Sequence, residues 1–354
     1  MEKGSNHAKK VAEGLADRGH KIIFASPNDE IDASVSLSNK IELVTLPYGG
    51  KKGYFLNVIA LRALYNKVCP EVVNIHYASG CGLLGMLAGL KPIVLNCYGS
   101  DIFEFPHLNR INMWLLRHIL KNADALASTS NAMADEIRRL LPCPRNIAIT
   151  PFGVNTELFK PVFNERTEKP LVVGIVKTLS PIYDIELLIK AFYIICQIMH
   201  PRPILRIYGD GPQKKDLMSL SNNLGISHNV EFCGRIANQD VPKVLNQMDV
   251  FVNCSQQESF GVNILEAMAC GLPVVATNCV GPKELIRDGE SGIIVKDRKP
   301  ESLAKAIVKL LNEKALRKKM GAVGRSIVCE QFDWNKNIVD LEKILVNNSV
   351  YARH

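Results

Sequence analysis

No stretch of this 354-residue sequence is apolar for long enough to cross a bilayer. The longest apolar run, residues 81–90, is about half the length that a membrane-spanning helix needs. The amino end, MEKGSNHAKK, lacks the apolar segment of a secretory signal. A cytoplasmic protein is therefore expected. The ten cysteines include no CxxC pair, and none stands at zinc-ligand spacing from histidines. That pattern predicts no zinc site and fits small buried hydrophobes in a reduced compartment. Aromatic residues make up only 6% of the chain and are not interleaved with a basic stripe, so no nucleic-acid partner is expected. Short-period repeats and low-complexity segments are also missing.

What is present describes a globular protein, with 47% hydrophobic and 22% charged residues. The length suits two α/β domains. A formal net charge of +8 points to acidic partners: phosphates, nucleotides or an anionic membrane surface. Much of that surplus, including Lys305, Lys309, Lys314, Arg317, Lys318 and Lys319, reads as a solvated helix face.

Strand-like and helix-like segments alternate through residues 8–150. Helices are expected at 8–18, 56–67, 83–88, 110–121 and 132–140, and strands at 21–25, 41–46, 72–76, 93–96, 125–129 and 147–150. Residues 151–170 break the rhythm with Pro151, Gly153, Pro161 and Pro170, which places an interdomain linker there. The alternation then restarts and runs to a last helix at 334–346. Two doubly wound, Rossmann-like α/β domains with parallel sheets follow, facing a central cleft. The expected division is 1–155, 156–330, and a closing segment 331–354 that packs back on the first domain. One irregularity stands at the start. A doubly wound domain opens with a strand feeding a Gly-rich loop, whereas this sequence begins in the loop at Gly4 and Ser5 and enters a helix directly. Either the chain is truncated at its start or the domain is assembled differently; the pattern favours truncation.

The strongest chemical signal is the stretch 258–266, ESFGVNILE, between a strand and a helix. Backbone N–H groups at a helix N-terminus bind phosphate, and Gly261 lets the backbone approach a ligand closely. Glu266 lies about two turns beyond Glu258, at roughly 1.5 Å per residue, so each carboxylate reaches a different part of one ligand. Carboxylates accepting hydrogen bonds from sugar and ribose hydroxyls would hold a nucleotide sugar at both ends. Ordinary surface glutamates would explain the bare spacing, but not the small-residue run and Gly-Leu-Pro turn that follow it at 267–273.

These residues resemble those of the retaining glycosyltransferase family 4, which has the two-Rossmann GT-B architecture. The likeness extends over nearly the whole chain: PFGVN at 151–155, YGDGP at 208–212, FCGR at 232–235, and GPKELI at 281–286 with GESG at 289–292. The resemblance implies transfer of a sugar from a nucleoside diphosphate sugar to a glycan or lipid-linked acceptor, with the acceptor side in the first domain and the donor in the second. It implies that Glu258 contacts the donor sugar hydroxyls and Glu266 the ribose. The backbone of Ser259, Phe260, Gly261 and Val262 would approach the sugar and diphosphate, and Arg235 and Ile236 would lie near the base. Gly209 and Gly211 belong to its donor-side loop, and Gly4 and Ser5 correspond to its phosphate cradle. Lys177 stands where the family has a cation for the diphosphate, offsetting charge on the leaving group. An exposed loop lysine is the competing reading. No D-x-D segment occurs, so no metal or other cofactor is expected.

The sequence departs from the family where Leu179 to Asp184 replace a Lys-Gly pair, so Tyr183 stands near an expected second cation. Tyr98-Gly99-Ser100-Asp101 replaces a frequent His-Gly-Ser-Asp. His76 and Asp101 are acceptor-side candidates, with a structural role for His76 equally open. His7 reads as an exposed cap-region histidine. Residues 110–121 combine Ile111, Trp114, Leu115, Ile119 and Leu120 with Arg110, Arg117, His118 and Lys121. That helix either touches an anionic membrane or, as the pattern slightly favours, packs its apolar side into the core. The departures also leave open a catalytically impaired relative that binds a nucleotide sugar without turnover. A two-domain sugar-nucleotide epimerase is the weakest reading.

Overall fold

A computed structural model describes residues 6–27, 38–141, 145–162 and 170–353. Gly4 and Ser5, and with them the expected phosphate cradle, lie outside the described residues. The chain divides into two compact units, Met1–Phe152 with Asn335–His354, and Gly153–Trp334. Each is a Rossmann-like α/β unit with parallel strands.

The first unit runs α1 (Asn6–Asp17), β1 (Ile22–Pro27), β2 (Ile41–Leu46), α2 (Gly50–Leu56), α3 (Val58–Val68), β3 (Val73–His76), α4 (Gly80–Leu87), β4 (Ile93–Cys97), α5 (Ser100–Phe103), α6 (Arg110–Asn122), β5 (Ala125–Ser128), α7 (Asn131–Leu140) and β6 (Ile147–Ile149). Among the described residues its strands form two pieces, β1-β2 and β3-β4-β5-β6. Strand β4 is buried along its whole length, as expected of a parallel strand covered on both faces. Helix α4 is a close-packing element. A Cβ at Gly80 would fall 2.4 Å from the Tyr54 ring of α2, one at Gly82 would fall 2.8 Å from Ile119 of α6, and one at Gly85 would fall 2.3 Å from Ile75 of β3. Helices α2, α4 and α6 therefore lie side by side over β3 and β4.

The second unit runs β7 (Val172–Val176), α8 (Ile185–Ile198), β8 (Ile204–Tyr208), α9 (Lys214–Asn223), β9 (Val230–Gly234), α10 (Val241–Leu245), β10 (Val250–Asn253), α11 (Val262–Ala269), β11 (Val274–Thr277), α12 (Val280–Leu285), β12 (Gly292–Val295), α13 (Pro300–Asn312) and α14 (Lys314–Gln331). Its strand order is β12-β11-β10-β7-β8-β9, the doubly wound arrangement with its switch point between β7 and β10. Ile175, Leu188, Phe192, Ile207, Val252 and Ile307 are buried in one core.

The last helix, α15 (Trp334–Asn347), belongs almost entirely to the first unit. Arg18 pairs with Glu342 at 2.5 Å, the Asn337 amide donates to the Pro151 carbonyl at 3.1 Å, and the Val350 N–H donates to the Glu71 carbonyl at 3.0 Å.

Candidate active site

In a doubly wound sheet, the chain leaves the two strands at the switch point in opposite directions and opens a crevice at their carboxyl ends. In the second unit these ends carry the predicted residues. Lys177 directly follows β7, and the loop from Cys254 to Gly261 follows β10. The Lys177 Nζ lies 2.5 Å from Glu258 Oε2, with the two side chains only 15% and 13% exposed. Asn253 Nδ2 and Ser255 Oγ each stand 3.4 Å from the same oxygen. Among the described residues, Glu258 Oε1 has no hydrogen-bond partner and is free to accept from a ligand hydroxyl. The Lys177 ammonium also lies 4.3 Å from the centre of the Tyr183 ring, a cation–π distance. One cation, one carboxylate and one aromatic face thus meet at the switch point.

The Glu258 loop is held from several sides. The Gly281 N–H donates to the Glu258 carbonyl at 2.8 Å. A Cβ at Gly281 would lie 2.2 Å from the Phe260 carbonyl oxygen, so only glycine admits that approach. Thr277 Oγ1 donates to the Ser255 carbonyl at 2.7 Å. Arg298 donates to the carbonyls of Ser255 at 2.9 Å and Cys254 at 3.2 Å, and pairs with Asp184. Gly261 has φ 102°, the left-handed region, and caps α11. Asn263 in the first turn of that helix donates to the Val176 carbonyl at 3.2 Å, tying α11 to the end of β7. Phe260 turns its ring into the core, 6.1 Å from the Phe332 ring centre, so only its backbone is available to a ligand. Ser259 is half-buried and Val262 exposed.

Glu266 sits half-buried on α11. Burial pushes the Cys270 thiol up to about 12, helped by the Glu266 charge and opposed by Arg325. The two predicted carboxylates are therefore on one loop–helix segment with separate surroundings. Gly209 and Gly211 serve the same site from beneath. A Cβ on Gly209 would meet the Lys177 carbonyl oxygen at 1.9 Å, and one on Gly211 would meet that of Leu179 at 2.3 Å. These glycines make room for the Lys177 loop. Arg235 is exposed and Ile236 half-buried after β9, on the same carboxyl edge of the sheet.

The first unit corrects two expectations. Asp101 does not present a free carboxylate: it is fully buried, accepting from the N–H groups of Gly99 and Ala78, each at 2.8 Å, and of Tyr98 at 3.1 Å. Burial raises its carboxyl, and those backbone donors pull it back. It braces the loop after β4. His7 is not an exposed cap residue. Its ring stands edge-on to Phe152 at 4.3 Å and Tyr98 at 5.2 Å, and burial lowers it to about 3.

His76 stands in a polar chain. Asn96 donates to Asn74 Oδ1 at 2.6 Å, which turns the Asn74 amide nitrogen toward His76 Nε2 at 3.1 Å. That network assigns the ring proton to Nδ1, which bonds the Tyr98 hydroxyl. Burial holds His76 at about 4, so the ring is neutral at pH 7.

Sequence reasoning missed Asn253, Ser255, Asn263 and Arg298. A signal for Asn253 existed: a polar residue closing the buried strand VFVN at a switch point is a site position. Nothing local marked Arg298, which meets the loop only through the fold.

Residues 157–327 match the family described as Glycosyl transferases group 1, and residues 1–130 match the one described as Glycosyl transferase 4-like. The N-acetyl-alpha-D-glucosaminyl L-malate synthase of Bacillus anthracis is 27% identical over 357 residues, covering 95% of this chain and 91% of that protein. The GDP-mannose-dependent alpha-(1-6)-phosphatidylinositol monomannoside mannosyltransferase of Mycolicibacterium smegmatis is 26% identical over 294 residues, 78% of this chain and 76% of that protein. Among solved structures, sucrose-phosphate synthase from Thermosynechococcus elongatus superposes with a TM-score of 0.83 at 22% identity, covering 98% of this chain and 93% of that one. The chain belongs to the GT-B glycosyltransferases of the family 4 type, and it is a glycosyltransferase by class.

Proposed function

We propose that this glycosyltransferase moves a sugar from a nucleoside diphosphate sugar to a glycan or lipid-linked acceptor, with retained anomeric configuration and without a metal. The observation that carries this reading is the Lys177–Glu258 contact at the β7/β10 switch point. In the step, the acceptor oxygen bonds to the anomeric carbon, the bond from that carbon to the diphosphate oxygen breaks, and the acceptor proton leaves with the diphosphate. Lys177 exchanges part of its contact with Glu258 for the departing phosphate and offsets the charge that develops there. Glu258 accepts from sugar hydroxyls, while Glu266 accepts from the ribose. The backbone N–H groups entering α11 face the diphosphate, and Arg235 and Ile236 flank the base. The likeness to a mannosyltransferase whose name includes a phosphatidylinositol acceptor supports a lipid-linked acceptor and work at the cytoplasmic membrane surface.

The test is a donor panel of UDP-, GDP- and ADP-sugars, read as nucleotide release and by the anomeric proton coupling of the product. Acceptor-dependent release with retained configuration is expected. A chain that binds a donor yet releases nothing with any acceptor would instead be the impaired relative; the aromatic ring of Tyr183 beside Lys177 is the feature favouring that outcome. Dialysis against EDTA is expected to leave turnover unchanged. Loss of activity restored by Mg²⁺ or Mn²⁺ would overturn the metal-free part of the reading.

A further inference from the structure

We propose that the helix layer α2–α3–α4–α6 of the first unit is a docking face for an anionic lipid bilayer. Helix α6 puts Leu116, Ile119 and Leu120 into the core and leaves Ile111 and Trp114 at 74% and 59% exposure. The expectation that its apolar side packs inward thus holds for one face only. Arg110, Trp114, Arg117 and Lys121 recur at three- and four-residue spacing, so the tryptophan stands among cations on the outer face. On the other side of α4, helices α2 and α3 expose Phe55, Leu56 and Ile59, the last at 82%. Lys51 and Lys52 are exposed beside them, while Arg62 donates to the Ala88 carbonyl at 2.6 Å and the Gly89 carbonyl at 3.1 Å and so ties α3 to the end of α4. Because α4 packs against α2 through Gly80 and against α6 through Gly82, the outer faces of this layer look away from the same strands, β3 and β4.

Charge selects the occupant. None of α2, α3, α4 and α6 contains an aspartate or glutamate. Glu71 and Glu104 lie outside these helices. Large apolar tips standing among cations fit a headgroup boundary, where the tips enter the acyl edge and the cations meet lipid phosphates. Tryptophan is favoured at that depth. A bare phosphate backbone would give Ile59, Ile111 and Trp114 nothing to bury against. Among the described residues no helix is long and apolar enough to cross a membrane, so attachment through this face is peripheral.

The proposal names the partner in the membrane part of the proposed function and rests on that part alone. The test uses the full chain with Trp334→Phe, which leaves Trp114 as the only tryptophan. Vesicles of phosphatidylcholine with phosphatidylglycerol, and of phosphatidylcholine alone, are compared by co-sedimentation and by quenching with brominated lipid. Expected are a blue shift and quenching of Trp114 with the anionic vesicles, weakened by salt. Ile59→Asp and Trp114→Asp, each checked for fold by circular dichroism, should each weaken binding by about tenfold or more. No binding, equal binding to neutral vesicles, or aspartate variants that bind as well as the parent would overturn the proposal. So would self-association of the chain that both aspartates abolish without any vesicle binding. Nucleotide release is followed separately without vesicles, with soluble glycan acceptors and detergent-dispersed lipid-linked acceptors. Turnover without vesicle binding removes only the docking face, whereas vesicle binding without turnover removes only the transferase reading.

Discussion

Replacing Glu258 with glutamine is expected to lower sugar transfer by on the order of 10³-fold while the second unit keeps its fold. Glutamine preserves size and one acceptor oxygen but removes the charge facing Lys177 at 2.5 Å. Two effects follow. The hydroxyls of the donor sugar lose a charged acceptor, the stronger kind of hydrogen-bond partner. The ammonium of Lys177 loses the group that aims it and is left against the Tyr183 ring, 4.3 Å away. Alanine should be worse, because it also leaves the buried amide of Asn253 and hydroxyl of Ser255 facing an empty space. The fold should survive in both, since the loop is held through its backbone by Gly281, Thr277 and Arg298 rather than through the Glu258 side chain. The kinetic split is informative. A fall in kcat with KM little changed means an interaction made in the transition state; a rise in KM alone means donor binding only. Near-normal transfer by Glu258→Ala would sink the site assignment.

Most of this site was legible because its parts are consecutive in sequence. The run 258–266 fixes one wall, and the alternation of short buried strands with amphipathic helices says where its strand and helix lie. The strand order then brings Lys177, some eighty residues earlier, to the same edge. What the sequence hid was tertiary. The helix expected at 56–67 is preceded by a further helix, α2, whose stretch GKKGYFL has two glycines and so carries a weak helical signal, yet Gly53 is needed there: a Cβ would lie 2.5 Å from the Tyr48 carbonyl oxygen. Strand β12 was masked by Gly289 and Gly292, and it exists because the edge of β11 is there to pair with. Arg298 lies far from the Glu258 loop in sequence and carries no local mark. His7 misled in the other direction. Its neighbours Asn6, Lys9 and Lys10 are polar, but the cluster of Phe152, Tyr98 and His76 that covers it comes from three separate segments.

That cluster makes the first unit acid-sensitive, with the loss of stability starting well above the usual carboxylate range. Burial lowers His76 to about 4 and His7 to about 3, from 6.5 in the unfolded chain. The positive charges of His76 and Lys10 add to the effect on His7. Between pH 6.5 and these values the unfolded chain binds protons that the folded unit refuses, so stability falls as the pH falls. It is fully present above pH 6.5. Each unit of displacement is worth about 1.4 kcal/mol, so the pair removes on the order of several kcal/mol by pH 4, a large part of a domain's ordinary margin. Asp101 works in the opposite sense, since its raised carboxyl eases the folded state as it takes up a proton, but its backbone donors limit that relief. The expected result is a thermal midpoint for the first unit that declines steadily from pH 6.5 to pH 4. His76→Gln with His7→Gln should flatten that decline, because neither side chain then takes up a proton on unfolding. The double variant will be less stable than the parent at pH 7, where it loses the bond to Tyr98, so the slope with pH is the quantity to compare. A double variant whose slope matches the parent would show that these histidines are not what the acid attacks.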